Sequence, residues 1–456
     1  MRQLVQVIHF TGIGGIGMSG IAEVLHNQGF TVKGSDACEG DTVSHLRRLG
    51  IDVQIGHHAD YLADAEVVVV TSAVDERNPE VVAARARGIP VIPRAEMLAE
   101  LMRMKRGIAI AGSHGKTTIT SLIAHGMEAV GMDPTFVIGG RLMASGSNAR
   151  LGASPWLVAE ADESDGSFLR LSPMITVISN IDPEHLDHYG TIDDLQSAFA
   201  AFASLTPFYG CVVLHHNHPR VAVLREQLHK PILTYGDSPQ ADVVLLARHL
   251  SAHRQRLVVT IRGSSAPLEL SLALPGSHNA ENALAAVAVL HRLGIADDKI
   301  ADAIGSFAGI ERRFQVAEMG RGVLVDDYGH HPAEVAATIA TAQEAWPDRR
   351  LVVLFQPHRF SRTHDLMEQF ITVLDAAHEV YLLPIYAAGE QPIAGVTSDV
   401  MATRMQQRGH RAVVSVESLP QAEEICLQRL QQGCLVLVLG AGSVGSVARA
   451  VRGCGA

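Results

Sequence analysis

Four stretches of the sequence carry residues whose types and spacing suit phosphate and carboxylate chemistry. The most specific is IAIAGSHGKTT, residues 108–118. A strand-like apolar run enters a turn holding Gly112, Ser113, His114 and Gly115, and Lys116, Thr117 and Thr118 open a helical pattern. Backbone N–H groups in such a turn cradle phosphate oxygens, the lysine reaches the outer phosphates, and a threonine hydroxyl reaches Mg2+. Ile110 stands where the longer motif has its first glycine, so this is a shortened form. A chance Gly-Lys-Thr would lack the strand before it and the helix after it; here both are present.

Carboxylates follow in LVAEADESDGS. Alternation along a strand places Glu160 and Asp162 on one face, at the end of an apolar run. Hard oxygen ligands near a nucleotide triphosphate suit Mg2+, although most such acidic runs are solvated loops. The third stretch, NIDPEHLDHYG, ends another apolar run with Asp182, Glu184, His185, Asp187 and His188. Zinc is disfavoured there, because no thiol or second spaced histidine completes a ligand set. The fourth, HFTGIGGIGMSG, has Gly12, Gly14 and Gly17 at the Gly-x-Gly-x-x-Gly spacing, and Asp36 closes the next strand-like run. That spacing serves any nucleotide diphosphate at a helix N-terminus, not only a dinucleotide.

Weaker signals lie further on. His278, Asn279 and Asn282 open a helical pattern, where a plain N-cap explains them equally well. Arg312 and Arg313, then Asp326, Asp327, His330 and His331, then His358, Arg359 and Arg362 each follow or end an apolar run. Arginines so placed can hold a carboxylate or phosphate bidentately, and surface ion pairs are the plain alternative. A second Gly-x-Gly-x-x-Gly, at Gly440, Gly442 and Gly445, reads as a tight turn with close helix–sheet packing.

The elements that must position these groups alternate short apolar runs with helical patterns over most of the chain, which predicts βαβ units and mainly parallel sheets. Fresh starts near residues 107 and 310 divide the chain into three α/β domains, 1–106, 107–309 and 310–456. The first and last are expected to be Rossmann-like. The middle one is expected to hold a mixed sheet, plus a small antiparallel sheet from the alternating run RLVVTIRGSSAPLELSLALPG. The 456 residues carry 37 Lys and Arg against 48 Asp and Glu, a net charge of −11, which disfavours nucleic-acid binding. Five scattered cysteines with no paired spacing suit reduced thiols. No apolar run approaches a membrane span, so a cytoplasmic protein with no membrane partner is expected.

In order, the blocks GIGGIGMSGIAEVL, SHGKTT, EADESDGSFL, NIDPEHLDHYG, GSHNAENALAA, ERRFQ, DDYGHHP, FQPHRFSRT and GAGSVG resemble those of the Mur ligases of peptidoglycan synthesis. Within that family they look most like the member that adds L-alanine to UDP-N-acetylmuramate. Departures are mild: Ile119 for a common Thr, Gly329 for Ala, and Phe360 for Tyr, the last losing a hydroxyl. The resemblance implies a ligase using ATP with Mg2+, or Mn2+ in its place, that proceeds through an acyl phosphate and acts as a monomer or weak homodimer. It implies UDP-sugar contacts at Gly14, Gly15, Ile16, Gly17, Met18, Ser19, Asp36, His57 and Ser72. It implies ATP contacts at residues 112–118 with Asn279, Arg313 and Asp327, and metal ligation by Thr117, Glu160 and His185. Lys116, Glu160, His185 and Arg313 would serve catalysis, and His330, Arg359 and Arg362 would hold the amino acid. Sister ligases carry a carbamylated lysine after the PEHLDHYG block; this chain has no lysine between Lys116 and Lys230. A ligase that recycles a whole tripeptide, and an NAD-dependent oxidoreductase, remain as alternatives.

Overall fold

The computed structural model describes residues 1–454 apart from positions 2, 72, 145, 252 and 411. It contains three sheets. The first has five parallel strands in the spatial order Asp52–Ile55, Thr31–Asp36, Val7–Thr11, Val67–Val70, Val91–Pro93. Chain order reverses beside Val7–Thr11, which opens a crevice beyond the carboxyl ends of the strands, where such sheets bind ligands. Side-chain alternation sorts that central strand. Ile8 and Phe10 join Ile21, Val24 and Leu25 of the helix Ile16–Asn27 in one core, whereas His9 and Thr11 are buried among polar partners.

The second sheet has ten strands, ordered Leu268–Leu272, Arg254–Ile261, Val243–Ser251, Ile232–Gly236, Cys211–His215, Pro173–Ile178, Arg106–Ala111, Trp156–Glu160, Thr135–Val137, Ala149–Arg150. Arg106–Ala111 runs parallel to both neighbours, and Thr135–Val137 pairs antiparallel with Ala149–Arg150. The alternating stretch expected to form a small sheet of its own extends this one. Leu268, Leu270 and Leu272 are buried while the residues between them are exposed, so the extension covers a core on one face.

The third sheet is ordered Gln315–Met319, Gly322–Asp327, Leu435–Leu439, Leu351–Phe355, Glu379–Leu382, Val413–Ser415, and only the first strand is antiparallel. Its inner strands are continuous apolar runs because both faces are covered. Leu435, Leu437, Val353 and Phe355 enter one core, and Val436, Val438, Val352 and Leu354 enter the other.

Tertiary contacts gather the chain into two compact units. One comprises Met1–Ala247, Val258–Leu270 and Glu281–Ala308; the other comprises Arg248–Leu257, Ser271–Ala280 and Gly309–Ala456. Among the described residues, no helix is long and apolar enough to cross a membrane.

Candidate active site

In the first unit the phosphate loop is shaped by two glycines that no other residue could replace. Gly112 has φ +135° and Gly115 has φ +86°; an added Cβ would strike the Ser179 hydroxyl at the first and the Asn282 side chain at the second. The neighbouring strand's carboxyl end holds the loop in place. Asn180 Oδ1 accepts from the His114 N–H at 2.7 Å, and the Ser179 hydroxyl donates to the His114 carbonyl at 2.7 Å. Ser113 Oγ accepts from the Asp182 N–H at 2.9 Å. Gly115 then opens the helix Lys116–Ala129 with no side-chain cap and no acidic residue in its first turn, which leaves the positive dipole end to a ligand. Thr117 and Thr118 are buried in that turn.

Lys116 is folded back over the loop. Its Nζ donates to the Gly112 and Ser113 carbonyls and to Glu163 Oε1 at 2.7 Å. Burial alone would push the ammonium's pKa down, but the Glu163 carboxylate outweighs it and the net direction is up. A polyphosphate therefore meets a charged lysine that already has an anionic partner.

The strand ends at Glu160, and the carboxylates of Glu160 and Asp162 have different partners. Glu160 Oε1 accepts from the Gly139 N–H at 2.6 Å, while Asp162 pairs with Arg94 at 3.2 Å. Beside His185 stand Glu163 and Glu184 instead, with one ligand atom from each of the three within 4.8 Å of the others. Glu160 is not in that group. His185 is placed by a left-handed backbone, φ +57°, at the start of the turn Leu186–Tyr189. Burial, aided by Lys116, holds its pKa below the usual imidazole value, and the neutral ring is the metal-binding form. Glu163 is 1 % exposed, and its Oε2 has no hydrogen-bond partner among the described residues. A buried carboxylate oxygen left open beside a neutral imidazole and a second carboxylate fits a hard divalent cation.

The first glycine loop lies elsewhere in the same unit. Gly12 takes φ +79°, and Asp36 Oδ2 accepts from the Gly14 N–H at 2.8 Å, so the aspartate fastens the loop as well as bordering it. Gly15, Ile16, Gly17, Met18 and Ser19 begin the helix Ile16–Asn27, which again has neither a side-chain cap nor an acid in its first turn. Ser72 lies outside the described residues. Arg94, which no motif marks, has its Cδ 3.2 Å from where a Gly17 Cβ would stand while its guanidinium pairs with Asp162. The guanidinium thus lies between the glycine loop and the acidic run. Asn148, just before the strand Ala149–Arg150, donates to the Ile16 carbonyl at 2.8 Å and ties that strand to the glycine-loop helix.

In the second unit Asp327 is buried and accepts from the Phe314 and Gly329 N–H groups, each at 2.7 Å. Burial pushes its pKa up to about 6, against the pull of Arg313 and those amides. Arg313 lies over the Tyr328 ring, 5.3 Å from its centre. Asn279 donates to the Pro275 carbonyl at 2.8 Å. His330 packs on His358, which stacks on Tyr386, and Arg362 reaches the His358 Nδ1 at 3.4 Å. Arg359, with φ +72°, stands half-exposed beside Glu390 at 3.9 Å. His330, His358, Arg359 and Arg362 thus share one neighbourhood; His358 and Glu390 are the members to which the sequence reading assigned no role. Gly440, Gly442 and Gly445 pack against Gln356, Tyr386 and Arg312, as a tight structural turn would.

Three family models match the chain in sequence: the Mur ligase family catalytic domain over residues 7–106, the Mur ligase middle domain over 110–290, and the Mur ligase glutamate ligase domain over 312–442. A UDP-N-acetylmuramate–L-alanine ligase of Myxococcus xanthus is 50 % identical over 96 % of this chain and 92 % of its own. One from Anaeromyxobacter dehalogenans is 51 % identical over 96 % and 95 %. The crystal structure of the Thermotoga maritima UDP-N-acetylmuramate–alanine ligase superposes with TM-score 0.83 at 30 % identity, covering 98 % of both chains. A murein peptide ligase from Psychrobacter arcticus shares the fold, with TM-score 0.74 at 20 % identity.

Proposed function

The chain belongs to the Mur ligase family, and on that premise we propose that it joins L-alanine to the lactyl carboxylate of UDP-N-acetylmuramate at the expense of ATP. The observation that carries this reading is about half identity over nearly the whole chain to ligases of that name, with the phosphate loop intact. The tripeptide-recycling alternative has structural likenesses at 20 and 28 % identity in its favour, against about half identity to the alanine ligases. A hydride-transferring enzyme would have no use for the Lys116 loop.

The lactyl carboxylate attacks the γ-phosphorus of ATP, giving an acyl phosphate and ADP. The alanine amine then attacks the acyl carbon, and phosphate leaves with the C–O bond electrons. Catalysis of the first step rests on positioning and charge neutralisation. Lys116 exchanges Glu163 for the transferring phosphoryl group, and the loop amides and the free helix terminus hold the remaining oxygens. Mg2+, where bound, neutralises phosphate charge. Thr117, Glu160 and His185 are assigned to it, with Glu163, whose Oε2 is open, and Glu184 standing beside His185 as further ligands. Asn279, Arg313 and Asp327 are assigned to the nucleotide, and His330, Arg359 and Arg362 to the amino acid. The UDP-sugar is assigned to the loop Gly12–Gly17 with Asp36 and His57. The working division is 1–106, 107–309 and 310–456, and the reaction is placed in the cytoplasm.

The test measures phosphate release from ATP with UDP-N-acetylmuramate and either L-alanine or the tripeptide. Release with alanine alone is expected, and Lys116→Ala should reduce it by at least a thousand-fold while UDP-sugar affinity stays within a few-fold. Preference for the tripeptide would overturn the substrate assignment.

A further inference from the structure

Glu80 is the most deeply buried acid of the first sheet's neighbourhood, 0 % exposed, and no role assigned so far uses it. It stands at the second position of the helix Pro79–Ala86, behind Asn78, whose side chain caps that helix, so the dipole favours its negative charge. Its carboxylate gathers the ends of three strands. Oε2 accepts from Thr11 Oγ1 at 2.7 Å, from Ser35 Oγ at 2.7 Å and from His9 Nε2 at 3.0 Å. Oε1 accepts from the His58 N–H at 3.3 Å. Burial pushes the Glu80 pKa up, but these donors outweigh it and the net direction is down, so the group is a carboxylate that accepts and cannot donate.

That fixes the protons one step further out. Ser35 has a single hydroxyl proton, and it is committed to Glu80. Ser35 Oγ also lies 2.9 Å from His57 Nδ1, and that contact must therefore be donated by the imidazole. Glu80 Oε1, 3.7 Å from the same nitrogen, makes the same demand. A neutral His57 with its proton on Nδ1 has a lone pair on Nε2. His57 keeps 22 % of its side chain exposed, with Nδ1 turned inward. It follows the strand Asp52–Ile55, whose Ile55 pairs with Asp36, the residue that fastens the glycine loop.

We propose that Glu80, acting through Ser35, is a positioning residue that sets His57 as a hydrogen-bond acceptor, so that the site selects a donor N–H or O–H of the uridine. The inference rests on the UDP-sugar assignment above. A lone pair on Nε2 repels phosphate oxygens, so the partner lies on the base or ribose. Uracil offers its N3–H and cytosine offers a lone pair at the same atom, while the ribose offers hydroxyls.

Glu80→Gln keeps the shape; its amide oxygen takes the Oε2 place, where Thr11 and His9 donate, and its NH2 takes the Oε1 place facing His57 Nδ1. The Ser35 hydroxyl, no longer held by an anion, turns to His57 Nδ1, and the imidazole proton moves to Nε2. Nitrogen NMR of labelled protein should show the parent His57 as the Nδ1–H tautomer and the variant as Nε2–H. The affinity for UDP should fall ten-fold or more in the variant, with ATP affinity unchanged. Ser35→Ala, which removes the relay and leaves only the 3.7 Å approach of Glu80 Oε1 to His57, should weaken UDP to a smaller extent. If the base is the partner, CDP binds the parent poorly and the variant no worse; if the ribose is, 2′-deoxy-UDP shows that pattern instead. An Nε2–H parent, or equal losses for UDP, CDP and 2′-deoxy-UDP, would overturn the proposal. A parent that binds ATP but no uridine nucleotide would overturn the UDP-sugar assignment itself, and the tautomer measurement still stands apart from it.

Discussion

Lys116 and Glu163 form a pair in which each member is stranded without the other. Both are largely buried, 19 % and 1 % exposed, and removing one partner of such a pair leaves an uncompensated charge. This bears on which acid serves the metal. Glu163→Gln removes one of the two charges beside His185, whereas Glu160→Gln alters an acid held by the Gly139 amide. Titrating phosphate release with Mg2+ should show the half-saturating concentration rising ten-fold or more for Glu163→Gln, and a smaller rise for Glu160→Gln. The reverse order would return the metal to Glu160. The sequence marked Glu160 because it ends an apolar run, whereas Glu163 lies three residues past the point where the strand stops. The stopping point is set by pairing with neighbours, which a single strand's pattern does not record. Lys116 itself was legible, because a backbone cradle for phosphate demands glycine and lysine at fixed spacing.

At the scale of elements, the loop between Gly322–Asp327 and the helix Pro332–Ala345, and the loop after Leu351–Phe355, bring His330 against His358. Burial pushes both imidazoles down to about 4, with Arg362 adding to the effect on each. The unfolded chain protonates them near pH 6.5. Above that pH both states are neutral, and the stability is fully present. As the pH falls from about 6.5 towards 4, the unfolded chain takes up protons that the folded one refuses, and stability is lost. Asp327, raised to about 6, works the other way over much of this range. Thermal melts across pH 4–7 should therefore show a shallower acid loss for a His330→Gln, His358→Gln double variant than for the parent; an identical slope would contradict the buried neutral pair. These elements also show what sequence carried. Each cluster could be placed at a strand's end from hydrophobic patterning, since the strands of a sheet covered on both faces read as apolar runs. Their assembly into one neighbourhood could not, because it depends on strand order, and strand order is a property of long-range pairing.

At the scale of the molecule, two units with separate cores should not melt as one. Calorimetry is expected to give a calorimetric enthalpy exceeding the van't Hoff value. Leu354→Ala, a cavity in the second unit worth about 2–5 kcal/mol, should lower one transition by on the order of 10 °C and leave the other in place. A single transition that moves as a whole would show that the units are thermodynamically one. The sequence announced three α/β regions from fresh strand starts. Two compact units emerge because the first two sheets are joined by shared core and by ties such as Asn148 to Ile16.

The third sheet has a consequence for how the protein is made. Among the described residues Leu435–Leu439 is the strand latest in sequence, yet it lies between Gly322–Asp327 and Leu351–Phe355, hydrogen-bonded to both. A ribosome adding about 5–20 residues per second needs roughly 4–16 s to travel from the end of Leu351–Phe355 to the start of this strand. Throughout that interval the two waiting strands have apolar faces and bare inner edges, the arrangement that templates association between nascent chains. Premature termination anywhere before residue 435 leaves them permanently in that state. The strand Leu435–Leu439 thus decides whether its two neighbours end in one sheet or as a template for aggregation.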